Sequence, residues 1–226
     1  MSTNYNILLK SEKKLKELIL SYILLMHEIH KKLWADANKY INDNLHIIFD
    51  NVERRLKRSK DMEDELLDEC IWTISKDDPR ANHLRFIISI IYSTKDISRS
   101  CEYAQSIAKI IVRNNINQDV IKNFMPLSKL YLEYIENVMK LNNGTSNNKL
   151  DLFDELNINF ENKYEKFQKE INKSFGKDEV IQYQLNQISR LVFSVVEKLQ
   201  SIFLTIFFSK SQSKTSTLEI AKKTKK

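Results

Sequence analysis

The stretch that decides the fold of this chain runs from Ser59 to Ile110 and reads SKDMEDELLDECIWTISKDDPRANHLRFIISIIYSTKDISRSCEYAQSIAKI. Apolar residues recur at three- and four-residue spacing on both sides of Pro79, which is typical of amphipathic helices. Proline is favoured at the first position of a helix, and aspartate is favoured just before that position. The stretch therefore predicts two long helices joined by a short turn, with Asp78 as the N-cap of the second helix.

The composition extends this prediction to the whole chain. The sequence has 226 residues but only 2 Gly and 2 Pro, so it can form few tight turns. Apolar periodicity predicts six helices, at about residues 8–36, 41–75, 79–114, 126–142, 150–174 and 178–209. Pro126 marks the predicted start of the fourth helix, and the charged residues 53–65 predict that the second helix is exposed or broken there.

The two halves of the chain resemble each other. DISR at residues 96–99 and QISR at residues 187–190 each lie in the last helix of a half. Matching positions of this kind indicate an internal duplication. Because short loops join antiparallel neighbours, each half is predicted to be a three-helix bundle, at residues 1–117 and 118–209, in an all-α protein.

Most of the positive charge lies at the end of the chain. The formal net charge is +6, and residues 210–226 contribute +5 of it through six lysines and Glu219. We interpret residues 210–226 as a disordered basic tail, and we predict no nucleic-acid partner. A weak attraction of this tail to anionic lipid would make the protein at most peripheral to a membrane.

Other sequence features favour a reduced, cytoplasmic protein. Cys70 and Cys101 have no zinc-binding spacing and lie among apolar residues, so we expect buried thiols. The first residues lack the organisation of a signal peptide. The apolar stretch 191–208 is interrupted by Glu197 and Lys198, so it falls short of the roughly 20 apolar residues of a membrane span.

Residues suited to catalysis are sparse. HEIH, which contains His27 and His30, could place two rings on one helix face, but it lacks the HExxH spacing of zinc proteases. We expect structural or surface roles for these histidines and for His46 and His83. No glycine-rich phosphate loop or nucleophile elbow is visible. The sequence therefore does not predict an enzyme.

A cluster of acids remains. EDELLDE at residues 63–69 places Glu65, Asp68 and Glu69 on one helix face. Carboxylates that are stacked in this way repel one another unless cations intervene. The alternative is a solvated acidic face beside the basic residues 54–58.

The third helix of the first half carries a family resemblance. DISRSCEYAQSIA at residues 96–108, and the preceding residues from Asp68 onward, resemble PhoU proteins, in which an acid, an arginine and a second acid recur on this helix. Asp96, Arg99 and Glu102 fall on that pattern. The resemblance implies two tandem three-helix bundles. It also implies a cytoplasmic accessory protein that restrains phosphate uptake or signalling by contacting the ATPase subunit of a phosphate ABC transporter, a sensor kinase, or both, and that could form a homodimer.

The resemblance also implies a divalent or iron cation on the first half, since the family pairs two acids four residues apart. Ser98 replaces the first acid of that pair here, and a ladder of ion pairs from Asp96 through Arg99 to Glu102 is the alternative. In the second half the aligned residues are Gln187, Ser189 and Phe193, and Arg190 alone is retained. The candidate metal ligands are Glu63, Asp68, Glu69, Asp96 and Glu102, and the candidate ion-pair or partner-binding residues are Arg99 and Arg190.

Two further hypotheses belong to other classes. A ferritin-like carboxylate metal protein would need Glu-x-x-His pairs on facing helices, which the sequence does not offer convincingly. A membrane-surface adaptor would use the apolar last helix and the lysine tail, although a bundle helix must also bury one apolar face.

Overall fold

The computed structural model describes residues 5–40, 44–79, 81–143, 148–175 and 178–223, and it describes no side chains for residues 5, 6, 143 and 210–223. The secondary structure of this part of the chain is entirely α-helical, which confirms the predicted all-α class. The helices are α1 (Tyr5–Tyr40), α2 (His46–Asp77), α3 (Asn82–Arg113), α4 (Gln118–Asn143), α5 (Lys149–Phe175) and α6 (Glu179–Lys223).

The helices pack as two consecutive bundles of three, as the sequence predicts. α1, α2 and α3 contact one another, and so do α4, α5 and α6. The most extensive packing of any helix pair joins α3 to α6, and α1 also packs on α4. The apolar side chains therefore form one core that is continuous between the bundles. The domain boundary at 117/118 stays a prediction, although it coincides with the turn between α3 and α4.

α1 packs against three helices, α2, α3 and α4. Its side chains Leu15, Tyr22, Met26, Ile29 and Leu33 are completely removed from solvent. Burial of one such side chain stabilises a fold by about 1.5–3 kcal/mol. Three neighbouring helices, rather than one, thus explain why apolar residues recur so regularly along α1.

α5 is held by a narrower apolar row. Its buried side chains are Phe153, Phe160, Phe167 and Ile171, and the three phenylalanines recur every seventh residue. Phe153 stacks on Phe203 of α6 with 4.0 Å between ring centroids, and Phe167 meets Phe124 of α4 edge-on. Aromatic rings therefore supply most of the attachment of α5 to the bundle.

The turn between α2 and α3 corrects one prediction. Asp78 does not cap the start of α3: it ends α2 in the left-handed conformation, with φ 46° and ψ 57°. Aspartate tolerates this conformation better than most residues. Pro79 is buried in the turn, and α3 begins at Asn82. The aspartate before the proline therefore stops one helix instead of starting the next.

The start of α4 corrects a second prediction. Pro126 lies inside α4, which begins eight residues earlier at Gln118. The N-cap is Asn117, whose side-chain Oδ1 accepts a hydrogen bond from the backbone amide of Val120 at 3.0 Å. Proline lacks the amide hydrogen that an interior helix position normally donates, so α4 tolerates one missing hydrogen bond at Pro126.

At residues 53–65 of α2 the structure agrees with the first of the two alternatives, and α6 runs further than the sequence indicates. α2 passes unbroken through the charged residues 53–65, most of which are exposed. α6 has a helical backbone to Lys223, beyond the end near Ser209 expected from the pattern. The charged side chains of the predicted basic tail lie outside the described part of the chain.

By length and composition alone, the part of α6 from Glu179 to Ser209 could cross a membrane, and it is the one such helix among the described residues. Its inward side chains Val192, Val196, Leu199, Ile202 and Phe203 are nevertheless fully buried against the rest of the bundle. Core packing therefore accounts for the apolar character of this face.

Candidate functional site

The acidic residues of α2 meet α3 at Glu63. One carboxylate oxygen of Glu63 lies 2.7 Å from Nζ of Lys95, and the other accepts a hydrogen bond from Oγ of Ser98 at 2.6 Å. The helices α2 and α3 are antiparallel neighbours, which brings these three side chains to the same level of the bundle. Both oxygens of the carboxylate are thus occupied by groups of α3.

The charge state of Glu63 follows from these contacts. Partial burial by itself raises the pKa of Glu63, but the hydrogen bonds from Lys95 and Ser98 favour the ionised form and outweigh that effect. The pKa of Glu63 therefore lies below its ordinary value, and the side chain is an anion at neutral pH. Ser98, which replaces an acid of the family pattern, donates a hydrogen bond to this anion.

The other predicted metal ligands do not gather around Glu63. Asp96 pairs with Lys198 of α6 at 2.8 Å, and Glu69 pairs with Lys14 of α1 at 2.5 Å. Asp68 is exposed on α2, and Glu102 of α3 is exposed beside the space between the two helices. Three of the five predicted carboxylates therefore have a lysine ammonium as their nearest cation.

The arginines have different surroundings from those expected. Arg99 is exposed, and the predicted ladder from Asp96 through Arg99 to Glu102 is not among the ion pairs of the described residues, since Asp96 turns to Lys198 instead. Hydrogen bonding to Asp96 raises the pKa of Lys198. Arg190 is exposed on α6. Both arginines are thus available at the surface.

The corresponding place in the second half is apolar. Phe193, which is aligned with Glu102, packs against Tyr164 and Phe160 with ring centroids 4.9 Å and 6.3 Å away. Ser189, which is aligned with Ser98, is buried, and its hydroxyl makes no hydrogen bond within the described structure. The positions that the sequence aligns between the halves are therefore polar in the first half and partly aromatic in the second.

These residues do not fit a metal centre as they are arranged. Within the described ranges, no group of three histidine, cysteine, aspartate or glutamate side chains lies close enough together to hold a metal ion. Divalent cations bound by oxygen ligands need several carboxylates or carbonyls around one point. The ammonium of Lys95 already lies beside the carboxylate of Glu63, in the position that a metal ion would have to take.

A designed gain of metal binding tests this conclusion. The double variant Lys95→Ala, Ser98→Asp removes the competing ammonium and places a carboxylate beside Glu63 and four residues before Glu102. We expect the variant to bind Mn²⁺ or Zn²⁺ more tightly than the unmodified protein, as measured by isothermal titration calorimetry. The variant Lys13→Ala, Ser21→Asp, on exposed positions of α1, is the control. Stoichiometric, tight binding by the unmodified protein would contradict the interpretation.

A cavity of about 330 Å³ opens next to Glu63, between α2 and α3. Its walls are mostly polar and include two lysines, two glutamates and three serines: Glu53, Lys57, Ser59, Lys60, Ser98, Glu102 and Ser106. At its inner wall the hydroxyls of Ser59 and Tyr22 are hydrogen-bonded at 3.0 Å. The cavity is thus closed from the core by satisfied polar groups.

A buried polar network that the sequence did not reveal connects the halves. His30 of α1 contacts the backbone oxygen of Ser100 through Nε2 at 2.9 Å and the hydroxyl of Tyr131 of α4 through Nδ1 at 3.1 Å. The indole Nε1 of Trp34 donates to the same hydroxyl at 2.5 Å. Because Ser100 offers only an acceptor, Nε2 of His30 carries the hydrogen and Nδ1 accepts the hydroxyl hydrogen of Tyr131.

Burial determines the charge of this histidine. His30 is fully enclosed, and desolvation lowers its pKa to about 4 despite the hydrogen bond to Ser100. His27, one turn earlier, lies 3.4 Å from the carboxylate of Glu136 of α4, and burial lowers its pKa as well. The histidines of HEIH therefore have structural roles at the interface between the halves, which agrees with the first of the two roles expected from the sequence.

Comparison with known proteins shows a similarity in the first half of the chain. Residues 23–111, which include α2 and nearly all of α3, match the PhoU domain model. The uncharacterized protein MG409 of Mycoplasma genitalium is 37% identical over 147 residues, and its homolog in Mycoplasma pneumoniae is 38% identical over 113 residues. The aligned regions span 60% and 49% of the lengths of these two relatives.

Solved structures extend the likeness to the whole fold. The phosphate transport system regulatory protein PhoU from Streptococcus pneumoniae superposes over 91% of this chain and 97% of its own, with a TM-score of 0.73 and 16% identity. PhoU from Pseudomonas aeruginosa superposes over 90% of this chain and 99% of its own, with a TM-score of 0.61 and 14% identity. Residues 23–111 are therefore similar to a PhoU domain, and the six-helix chain that contains them has the same fold as these two PhoU proteins.

Proposed function

We propose that this chain regulates a phosphate transport system, and that it does so in the cytoplasm by binding protein partners. The observation that carries the proposal is the similarity of residues 23–111 to a PhoU domain, within a fold shared with a phosphate transport system regulatory protein. Binding rather than turnover is supported by the first half itself. Glu63, Glu69 and Asp96 are engaged by lysines, and His30 is enclosed in the core.

The partner surface that we favour is the outer side of α2 and α3 in the first half. We call it the α2–α3 face and define it by the exposed side chains of Asp61, Asp64, Glu65, Asp68, Arg99 and Glu102. Five of these six side chains are acidic, and the exposed Arg54, Lys57, Arg58 and Lys60 precede them on α2, so the acidic part of the face favours a basic patch on a partner. Complementary charges accelerate association and select the correct partner.

The partner that we propose for this face is the ATPase subunit of a phosphate ABC transporter, and a sensor kinase is the second partner implied by the family. Regulation would follow if the chain binds one conformational state of the transporter better than another, because a ligand shifts an equilibrium only through such a difference. A homodimer, predicted from the resemblance, would leave this mechanism unchanged.

A pull-down with the purified ATPase subunit from the same genome tests the proposal. We expect the chain to bind, and we expect the variant Asp64→Lys, Asp68→Lys to bind about tenfold more weakly or worse, because it reverses charge on the α2–α3 face. The variant Asp151→Lys, Asp154→Lys makes the same change at exposed positions of α5 and should bind normally. Absence of binding under every phosphate and nucleotide condition would defeat the proposal, and equal losses in both variants would exclude the α2–α3 face.

A further inference from the structure

A second cavity, of about 310 Å³, lies between α4 and α5 in the second half. Its apolar wall is formed by Pro126, Leu127 and Leu130 of α4 and by Phe167 of α5. Leu127 and Phe167 belong to the core of the bundle, whereas Pro126 is exposed. Because these four side chains line the same space, they form one apolar surface.

The spacing of apolar residues on α5 explains why this space is open. Phe160 and Phe167 are buried seven residues apart. Between them, Tyr164 packs on Phe193 of α6, and the residue that borders α4 is Lys163. A lysine keeps its ammonium in water, so its side chain does not fill the space as a leucine would. The gap between α4 and α5 therefore follows from a lysine in an otherwise apolar row.

The proline in this wall is an unfavourable residue for its position. Pro126 lies inside α4, where proline cannot donate a hydrogen bond to the carbonyl four residues earlier, that of Lys122. Proline inside a helix lowers stability, and this one does not serve as a helix start. Residues that break a local rule of folding are found preferentially at functional sites. The proline of α4 breaks such a rule where it borders the cavity.

Five charged side chains border the same space. Lys129, Lys163 and Lys166 are exposed lysines, and Glu133 and Glu170 are exposed glutamates. Nζ of Lys166 lies 4.0 Å from Glu170, and an exposed pair of this kind contributes little and leaves the ammonium able to turn. Among the residues that the structure describes, Lys129, Lys163 and Glu133 form no ion pair. The border thus has one net positive charge, two unpaired ammoniums and one unpaired carboxylate.

We propose that this cavity binds a small organic anion that carries a planar apolar part, a phosphate or carboxylate, and an N–H or O–H donor. The planar part lies against Pro126 and Phe167, where it replaces water on apolar side chains. The anionic group contacts the ammoniums of Lys163 and Lys166, and Glu133 accepts a hydrogen bond from the donor. A mostly apolar wall with a few polar groups, in a cavity of about 300–1,000 Å³, is typical of small-molecule sites.

The cavity between α2 and α3 is a contrast of similar size. Its walls are mostly polar, with Leu56 as the one apolar lining residue, and its two lysines are balanced by two glutamates. It therefore offers neither an apolar wall for a ring nor a net positive charge. The proposal for the second half goes beyond the regulation of phosphate transport, because it holds whether or not the chain binds a transporter subunit.

Displacement of a fluorescent probe from the full-length chain is the direct test. The probe is 8-anilinonaphthalene-1-sulfonate, a planar organic anion that reports apolar binding surfaces by its fluorescence. We expect saturable binding that weakens at high salt, because exposed charges are screened. Adenosine monophosphate or indole-3-acetate should displace the probe, and the stronger competitor tells whether the anionic group is a phosphate or a carboxylate. Adenosine and inorganic phosphate, which each lack one part of the proposed ligand, should displace little at the same concentration.

Matched lysine variants assign the binding to this cavity. The variant Lys163→Ala, Lys166→Ala should weaken probe binding about tenfold, because it removes two charge-assisted contacts to the anionic group. The control Lys169→Ala, Lys173→Ala makes the same change of charge at exposed positions of α5 that do not line the cavity, and it should bind normally.

The variant Pro126→Ala separates binding from folding. It restores an amide donor inside α4, so the melting temperature should rise. It also removes the proline ring from the apolar wall, so probe binding should weaken about threefold. Asn123→Ala, at an exposed position of the same helix that does not line the cavity, should leave binding unchanged.

Four results would overturn the proposal. The first is probe binding that neither adenosine monophosphate nor indole-3-acetate displaces, and the second is equal displacement by adenosine or by inorganic phosphate. The third is an equal loss of binding in the two lysine variants, and the fourth is unchanged binding in Pro126→Ala. Circular dichroism verifies that each variant retains its fold. None of these results bears on the pull-down with the ATPase subunit, whose proposed surface lies in the first half.

Discussion

Acidification from pH 7 to pH 5 is expected to lower the free energy of unfolding by about 2 kcal/mol through His30 alone, and acidification from pH 7 to pH 4 is expected to lower it by about 3 kcal/mol in total. The ordinary pKa of histidine is 6.5, whereas the pKa of His30 in the folded protein is about 4. Between these values the unfolded chain binds a proton that the folded protein excludes. Stability therefore rises with pH through this range and is fully present above pH 6.5.

The physical reason lies in the hydrogen bonds of His30. Protonation would turn Nδ1 into a donor facing the hydroxyl of Tyr131, which already accepts from Trp34, in a site without solvent. The groups that face His30 are that hydroxyl from α4, the carbonyl of Ser100 from α3, and His27 one turn away on α1. Within the described structure no acid appears among these contacts to stabilise an imidazolium.

Urea unfolding at a series of pH values measures the effect. The variant His30→Gln removes the titrating group, so its stability should change less between pH 7 and pH 5 than that of the unmodified protein. His46→Gln, which replaces an exposed histidine, is the matched control and should retain the full pH dependence. Measurements above pH 5 also avoid the titration of Glu63. The pKa of Glu63 is lowered, so protonation of its carboxylate reduces stability only at lower pH. Parallel curves for His30→Gln and the unmodified protein would refute the assignment.

Phe160→Ala is expected to cost about 3–5 kcal/mol of stability, the range that truncation of a buried phenylalanine gives. Phe160 is 1% exposed and contacts Tyr134, Tyr164 and Phe193 through its ring. α5 buries only a single row of side chains, so a cavity in that row cannot be compensated by other contacts of the same helix.

Ile158→Ala is the control for this prediction, since Ile158 lies two residues away on α5 and is 59% exposed. Its effect should be within about 0.5 kcal/mol of zero. Urea unfolding gives the free energies, and hydrogen exchange should show faster opening of the α5 amides in Phe160→Ala than of the α1 amides. A loss below about 1 kcal/mol, or equal losses in the two variants, would contradict the proposed role of the aromatic row.

The sequence revealed the helices better than their ends. Periodicity located all six, because an apolar stripe is repeated over many residues and tolerates local exceptions. Helix ends depend on single residues, and the same residue suits two roles: aspartate caps a helix start, yet at Asp78 it takes a left-handed conformation and ends α2. Proline is favoured at a helix start, yet Pro126 lies inside α4, whose N-cap is Asn117.

The site was only partly visible for a different reason. The sequence identified the stretch from α2 to α3 as the candidate site. It did not show which side chains of α3 contact the carboxylate of Glu63, because this depends on which residues of α3 face α2. That requires the register of two helices, which the sequence does not contain. The sequence also did not show the network of His30, Trp34 and Tyr131. Tyr131 lies 101 residues after His30 and 97 residues after Trp34, and no sequence motif links them.

The continuous packing of α3 on α6 limits how such a protein can respond to its partners. A hinge that swings one bundle away from the other would separate α3 from α6, the helix pair with the most extensive packing, and would expose apolar core side chains to water. Large opening motions are therefore unfavourable. The binding of a partner to one bundle must instead be transmitted to the other by small coordinated shifts of whole helices, or it must affect other proteins by steric exclusion.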